Sequence, residues 1–600
     1  MDYQLDYRTV NTLWSSVLAE TLARLGLETA VLCPGSRSSP LTLALAQHPR
    51  IHTLAILDER SAAFFALGRA RYSQKPVVLV CTSGTAAANF FPAIIEAKES
   101  QVPLIVLTGD RPPELRHCHA GQTIDQVKLY GHYPQWQTEL APPAADPEQL
   151  RYLRQTLVYA WERSLLPQKG VVHVNCPFRE PLAPMTQDQD FPTAIAPVLE
   201  THFFQTVQPV NPSPLLSTLP VLPTFPTKGM IIAGLYQGAE PEQYCRHIQQ
   251  LSQALSYPVL GEALSPVRNY FRRDYPLISH YDWGLRNAAL AEVLTPEIVI
   301  QIGELPTSKV LRHWLAGLPC PRYIITDSQE NFDPLHAQSY HLRTSLGALL
   351  ETILANLATT PRAKSLDSRS YVNSWRELDQ KAQYRLNQCL SKETILREGK
   401  VAELLSQYLP PETPLLIANS MPVRYMELFW QKNNRRYQPY FSRGANGIDG
   451  TLSTVLGIAQ GSRPTVLFTG DLSLLHDTNG FLIGPQFQGS LTIILLNNHG
   501  GGIFEMLPIG NLADRDMFER YFATPQRVDF AQLCAVYGVN YQLITSQAAL
   551  IAQIQILPTS GIQLLEIPSD RHQEAQWLKG LGAQFTQMDW LNPLSVTEID

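Results

Sequence analysis

The chain has 600 residues, 44% hydrophobic and 17% charged, with a net charge of −6. This composition supplies several apolar cores and excludes a disordered or collagen-like protein. The mild negative charge offers no broad basic field for nucleic acid or an anionic membrane, so an anionic ligand would need cations placed locally.

The eight cysteines are scattered, with no CxxC pair to suggest a zinc knuckle, and their mostly apolar neighbours suggest reduced, buried thiols. The opening MDYQLDYRTVNTLWSS lacks the basic segment and apolar run of a signal peptide. No stretch reaches the ~20 apolar residues of a membrane span. The expected location is the cytoplasm.

Along the chain, short β-branched runs alternate with helical patterns. The first set is TAVLCPGS (29–36), VVLVCTSGT (77–85), PLIVLTGDR (103–111) and VVHVNCP (171–177), with helical stretches such as SAAFFALGRARY (61–72) between them. Continuous apolar runs ending in Gly, Ser, Pro or Asp are the mark of buried parallel strands with functional loops at their C-terminal ends. A proline-rich stretch at about 192–226 reads as a linker. A second set follows in KGMIIAGL (228–235), IVIQIGEL (298–305) and RYIITDS (322–328). A polar helical stretch at about 362–408 leads into a third set: LLIANS (415–420), TVLFTGDLS (465–473), TIILLNNHGG (492–501) and GIQLLEI (561–567). The expected fold is α/β, with three doubly wound parallel-sheet domains over 1–190, 191–390 and 391–600.

The sharpest chemical signal is Gly470-Asp471-Leu472-Ser473 followed by Asn497-Asn498-His499-Gly500-Gly501, both at the ends of apolar runs. The separation suits one crossover helix between neighbouring parallel strands. A hard divalent cation takes oxygen ligands, which Asp471, Asn498 and the carbonyl of Gly500 can supply, while glycines let backbone approach a diphosphate. Each piece alone reads as an ordinary turn. Together they resemble the signature of thiamine-diphosphate enzymes.

That resemblance calls for a carboxyl group against the cofactor's aminopyrimidine. Glu59, in ILDERSAAFF at a strand end and helix start, meets it, although a glutamate there also simply complements a helix N-terminus. The loops CPGSRS (33–38) and TSGTAAAN (82–89) accompany it, bringing Ser83 and Gly84 to the cofactor. In the third domain, Ile448 within Gly447-Ile448-Asp449-Gly450 matches the bulky residue that wedges under the cofactor in this class; plain core is its other reading.

The motifs CPGSRSSPLTLAL, DERSAAFFALG, TGDRPPELR, NSMPVR, SRGANGIDGTLST and GDLSLLHDTN narrow the likeness. As a set they resemble the 2-succinyl-5-enolpyruvyl-6-hydroxy-3-cyclohexene-1-carboxylate synthase family of menaquinone and phylloquinone biosynthesis, closely in the first and third domains and weakly in the middle one. The resemblance implies a pyrimidine-binding, a middle and a diphosphate-binding domain. It implies a transferase using thiamine diphosphate with magnesium or manganese, which decarboxylates 2-oxoglutarate and adds the remaining succinyl unit to isochorismate. It also implies a homodimer or homotetramer with sites between subunits.

Both substrates are dicarboxylates, and arginine's planar fork suits them. By resemblance Ser36, Arg37, Arg111, Gln122 and Lys309 meet isochorismate. Asn419, Ser420, Arg424 and Arg443 serve the 2-oxoglutarate-derived adduct, and Phe504 and Leu507 line the apolar side. Glu59 and the four arginines 37, 111, 424 and 443 are the catalytic candidates; Glu59, Ser83, Gly84, Ile448, Asp471, Leu472, Ser473 and Asn498 are the cofactor candidates. Gly121 and Val310 depart from residues found in some members, Asn and Arg, so one polar contact and one cation are missing or supplied elsewhere. His117, His119 and His499 lie near these motifs and receive no catalytic role. The nearest rival readings are an acetohydroxyacid synthase or another 2-oxoacid decarboxylase, then a non-catalytic cofactor-binding protein. Retention of both Glu59 and the metal pair speaks against the last.

Overall fold

In the computed structural model, which describes residues 3–185, 195–197, 199, 202–209, 223–359, 366–590 and 592, every apolar run named above becomes an inner strand of a parallel sheet. The first sheet holds β1 (Thr29–Leu32), β2 (His52–Ala55), β3 (Val77–Cys81), β4 (Leu104–Asp110), β5 (Trp136–Glu139) and β6 (Val171–Pro177), in the order β2-β1-β3-β4-β6-β5. The second holds β7 (Gly229–Ala233), β8 (Val259–Gly261), β9 (Leu277–Ile278), β10 (Ile298–Ile302), β11 (Arg322–Thr326) and β12 (Ser339–Arg343), in the order β12-β11-β10-β7-β8-β9. The third holds β13 (Pro414–Ile417), β14 (Gln438–Phe441), β15 (Thr465–Gly470), β16 (Ser490–Asn497), β17 (Asn540–Leu543) and β18 (Gly561–Pro568), in the order β14-β13-β15-β16-β18-β17.

The α/β architecture is therefore as expected. The first and third sheets share one topology, with the strand order reversing between their first and third strands. Open α/β sheets bind ligands in the crevice beyond the strand ends at such a reversal. In the first sheet the flanking loops are those after β1 (Cys33–Ser38) and β3 (Thr82–Gly84). In the third they are those after β13 (Ala418–Ser420) and β15, where Asp471 opens the next helix.

The inner strands are buried on both faces, as in β3, β4 and β16. Helix Val10–Leu25 covers one face of the first sheet, fixed at its start by a capping box between Thr9 and Thr12, with Leu13, Trp14, Val17 and Leu18 in the core. Each such side chain contributes about 1.5–3 kcal/mol through burial. By internal contacts the chain divides into two compact units. One holds the first sheet together with Ser442–Ser462 and Leu475–Gly489, and the other holds the second and third sheets.

Two expectations need comment. Most of the proline-rich stretch at 192–226 lies outside the described residues. The cysteines are not uniformly buried: Cys118 is exposed and Cys320 and Cys389 are half-buried, while the other five are buried as expected. Cys118 falls in an irregular segment after β4, outside the layers that bury the other five. Among the described residues no helix is long and apolar enough to cross a membrane.

Candidate active site

In the first unit, the loops after β1, β3 and β4 converge. Arg37 is buried; its Nη1 donates to the carbonyl of Phe178 at 2.9 Å and its Nη2 lies 3.1 Å from the exposed Glu180. Arg111 donates from Nη1 to the hydroxyl of buried Ser83. Burial, and then the charge of Arg37, hold Arg111 below the usual arginine range. Two guanidiniums within electrostatic reach of one another favour a nearby anion. Gly84 takes φ +87°, and a Cβ there would stand 2.9 Å from Gln122 Cγ. Gln122 Nε2 donates to the Ser83 carbonyl at 2.8 Å, and the Gly84 N–H donates to Gln126 Oε1 at 2.8 Å. Ser36 is exposed in the same loop set, and Gly121 stands in open space.

Glu59 is the first residue of helix Glu59–Ser73, whose cap is Asp58, accepting from the Ser61 N–H at 3.1 Å. The half-buried Glu59 acts electrostatically on Cys33 and Cys81, which places it at the C-terminal ends of β1 and β3. Helix Thr451–Ala459, following Ile448, packs across this helix. Gly68 permits that crossing, since a Cβ there would lie 1.9 Å from the Thr454 carbonyl. Arg443 and Ile448 are half-buried in the preceding loop. The loop is held by Glu96, which accepts from the N–H groups of Ala445 at 2.7 Å and Gly444 at 3.2 Å while paired with buried Arg71 at 2.7 Å. Glu96 and Arg71 were not singled out in the sequence.

The second unit holds the acidic and amide groups. Asp471 is buried and accepts from the N–H groups of Leu472 and Gly500, each at 2.8 Å. Burial pushes its carboxyl up to about 6, with the charge of Glu398 a smaller contribution in the same direction. A buried carboxyl that ionises with difficulty is suited to a nearby cation. Asn498 donates from Nδ2 to Glu398 at 3.0 Å, and its Oδ1 is buried with no hydrogen-bond partner. Gly500 lies at φ +135° with its N–H on Asp471. The orphaned amide oxygen, the buried carboxylate and the exclusively oxygen donor set fit a hard divalent ion. Ser473 is buried and Leu472 half-buried beside them.

Asn419 is buried, and Ser420, at φ +71°, gives its carbonyl to Arg424 Nη1. Arg424, Lys309, Ile503, Met506 and Leu507 border a cavity of about 410 Å³. Lys309 starts the helix Lys309–Ala316, capped by Ser308. Val310 borders the same cavity, and two other cations, Arg286 and Lys579, border it as well. Phe504 instead turns its ring toward Phe522, with centroids 6.0 Å apart.

Family models match three successive segments: the thiamine pyrophosphate enzyme N-terminal TPP-binding domain over residues 14–129, the thiamine pyrophosphate middle domain over 220–417, and the C-terminal TPP-binding domain over 420–567. A 2-succinyl-5-enolpyruvyl-6-hydroxy-3-cyclohexene-1-carboxylate synthase of Microcystis aeruginosa is 55% identical over 96% of this chain and 99% of its own. The chain belongs to that synthase family. Proteins of the same name from Gloeothece citriformis and a Nostoc species are 55% and 52% identical, covering 96% and 95% of this chain and 98% and 97% of theirs. The chain is thus a thiamine-pyrophosphate-dependent enzyme, and the rival reading as a non-catalytic binding protein falls away.

Proposed function

We propose that the enzyme joins 2-oxoglutarate to isochorismate with loss of carbon dioxide, giving 2-succinyl-5-enolpyruvyl-6-hydroxy-3-cyclohexene-1-carboxylate by 1,4-addition, a step toward menaquinone or phylloquinone. The observation that carries this reading is Arg111 held on Ser83 within electrostatic reach of the buried Arg37, an arrangement suited to a dicarboxylate.

When bound, thiamine diphosphate supplies the electron sink that decarboxylation of a 2-oxo acid requires. Asp471, Asn498 through Oδ1 and the Gly500 carbonyl hold its magnesium or manganese ion. Ser83, Gly84, Leu472, Ser473 and Ile448 would contact the cofactor, and Glu59 would hold a proton at N1′ of its aminopyrimidine. Ser36, Arg37, Arg111, Gln122 and Lys309 bind isochorismate. Asn419, Ser420, Arg424 and Arg443 bind the carboxylates derived from 2-oxoglutarate, and Phe504 and Leu507 line the apolar side. The domains over 1–190, 191–390 and 391–600 divide these roles. The enzyme works in the cytoplasm as a homodimer or homotetramer, with sites completed between subunits.

Mass spectrometry of the products formed from both substrates, with thiamine diphosphate and magnesium, tests the reading. The expected product carries the succinyl unit on the isochorismate ring. Release of succinic semialdehyde alone, with isochorismate untouched, would overturn it in favour of a simple decarboxylase.

A further inference from the structure

An asparagine offers a metal ion either a good ligand or a repulsive one, depending on which way its amide faces. Oxygen and nitrogen have nearly the same shape, so packing does not choose between them; the hydrogen bonds do. At Asn498 a single side chain makes the choice. Glu398, the first residue of helix Glu398–Tyr408 and fully buried, accepts from Asn498 Nδ2 at 3.0 Å through its Oε1. The same oxygen accepts from the Ser569 hydroxyl at 2.5 Å. With Nδ2 committed in this way, Oδ1 is turned elsewhere, buried and without a partner. A carbonyl oxygen accepts whether or not the carboxyl carries a proton, so the orientation does not depend on the ionisation of Glu398.

The surrounding contacts fix Glu398 in turn. Its backbone N–H faces Glu574 at 3.4 Å, and Glu574 is paired with Arg397 at 3.2 Å. Ser569 follows β18 and is tied by its N–H to the Asn497 carbonyl at 2.9 Å, so the chain just before Asn498 is anchored. The Asp471 carboxylate, bound to the Gly500 N–H, belongs to the same strand-end cluster.

We infer that Glu398 is a positioning residue for the metal: it does not bind the ion but orients Asn498 so that Oδ1, not Nδ2, faces it. The inference rests on the reading of Asp471 and Asn498 as ligands. Partners of this kind, one step removed from the metal, commonly change affinity by about 10–100-fold.

The test measures Mn²⁺ affinity of the full-length protein by electron paramagnetic resonance in the presence of thiamine diphosphate, alongside circular dichroism to verify folding. Glu398→Leu should weaken Mn²⁺ binding about tenfold or more, while Glu398→Gln, which retains an acceptor oxygen, should stay within about threefold of wild type. The decisive variant is Asn498→Asp, which presents oxygen on either side and needs no orienting partner. In that background Glu398→Leu should leave Mn²⁺ affinity within about threefold of the Asn498→Asp single variant, because neither oxygen needs to be turned toward the ion. A merely structural role for Glu398 would lower affinity in both backgrounds, and that result would overturn the inference. So would a folded Glu398→Leu protein with wild-type Mn²⁺ affinity. The ligand reading itself fails separately, if Asn498→Ala leaves Mn²⁺ affinity unchanged.

Discussion

The carboxylate of Glu96 accepts the Ala445 N–H at 2.7 Å and pairs with the guanidinium of Arg71 at the same distance, with both side chains almost wholly buried. One buried ion pair therefore clamps the backbone of the loop that carries Arg443 and Ile448. Removing only the acid strands Arg71, so Glu96→Ala should cost about 3–5 kcal/mol of stability, visible as a lowered thermal midpoint. The double variant Arg71→Met/Glu96→Leu should recover much of that loss yet leave the loop unclamped. If Arg443 handles the 2-oxoglutarate carboxylates, the double variant should show KM for 2-oxoglutarate raised roughly tenfold, the equivalent of one charge-assisted hydrogen bond. A double variant with normal stability and normal KM would show that the loop holds its shape without the clamp.

Arg37→Ala and Arg111→Ala should raise KM for isochorismate more than KM for 2-oxoglutarate. Cutting one side of a buried charge pair costs about 2–5 kcal/mol, enough for a change of at least tenfold. Steady-state kinetics with each substrate varied in turn give the comparison. Equal effects on both would mean that the pair does not discriminate between them.

Glu59→Gln should fold normally, bind thiamine diphosphate with nearly unchanged affinity in calorimetry, and lose almost all turnover. The substitution keeps the shape of the side chain at the helix start but removes a carboxyl proton that can be shared with N1′. Near-normal kcat would remove Glu59 from the catalytic set.

The difference between what was readable in the sequence and what was not follows burial. The runs TAVL, VVLVC and TIILLN are largely apolar because β1, β3 and β16 are covered on both faces, and they stand out for that reason. β2 (His52–Ala55), β5 (Trp136–Glu139) and β17 (Asn540–Leu543) lie at sheet edges, are partly exposed, and carry mixed sequences that no periodicity marks. The loops bearing Arg37, Ser83, Arg111 and Asp471 stood out because each sets glycine, serine, arginine or aspartate at the end of an apolar run. Glu398 was not, since an acidic residue at a helix start reads as complementing the helix dipole. Glu96 left a faint signal: a charge within the buried stripe of Ala93, Ile94 and Ala97. A charge on an apolar helix face must have a partner, but nothing in the sequence says that the partners are Arg71 and a loop some 350 residues away.

The last prediction concerns pH. His173, on β6, is buried, and its Nε2 lies 2.8 Å from the Thr108 hydroxyl. Thr108 donates to Asn175 Oδ1 at 2.8 Å, Gln126 donates to the same oxygen at 3.0 Å, and Gln126 Oε1 accepts the Gly84 N–H. A chain of buried hydrogen bonds thus runs from His173 to the Gly84 turn. Burial lowers the imidazole from its ordinary value of 6.5 to about 4, so the folded protein keeps it neutral. Between these values the unfolded chain binds the extra proton and the folded one does not. The stabilising effect of the neutral ring is therefore complete above about pH 6.5 and is lost as the pH falls toward 4. Between pH 7 and 5 the expected loss is about 2 kcal/mol. His173→Gln can still donate to Thr108 but cannot titrate, so it should lack this component. Urea unfolding followed by the fluorescence of Trp14, Trp136 and Trp161 in the first domain, at pH 7 and pH 5, provides the comparison. The wild type should lose more stability than the variant on acidification. Equal losses would show that His173 takes up its proton without disturbing the fold, and that the hydrogen-bonded chain to Gly84 tolerates an imidazolium.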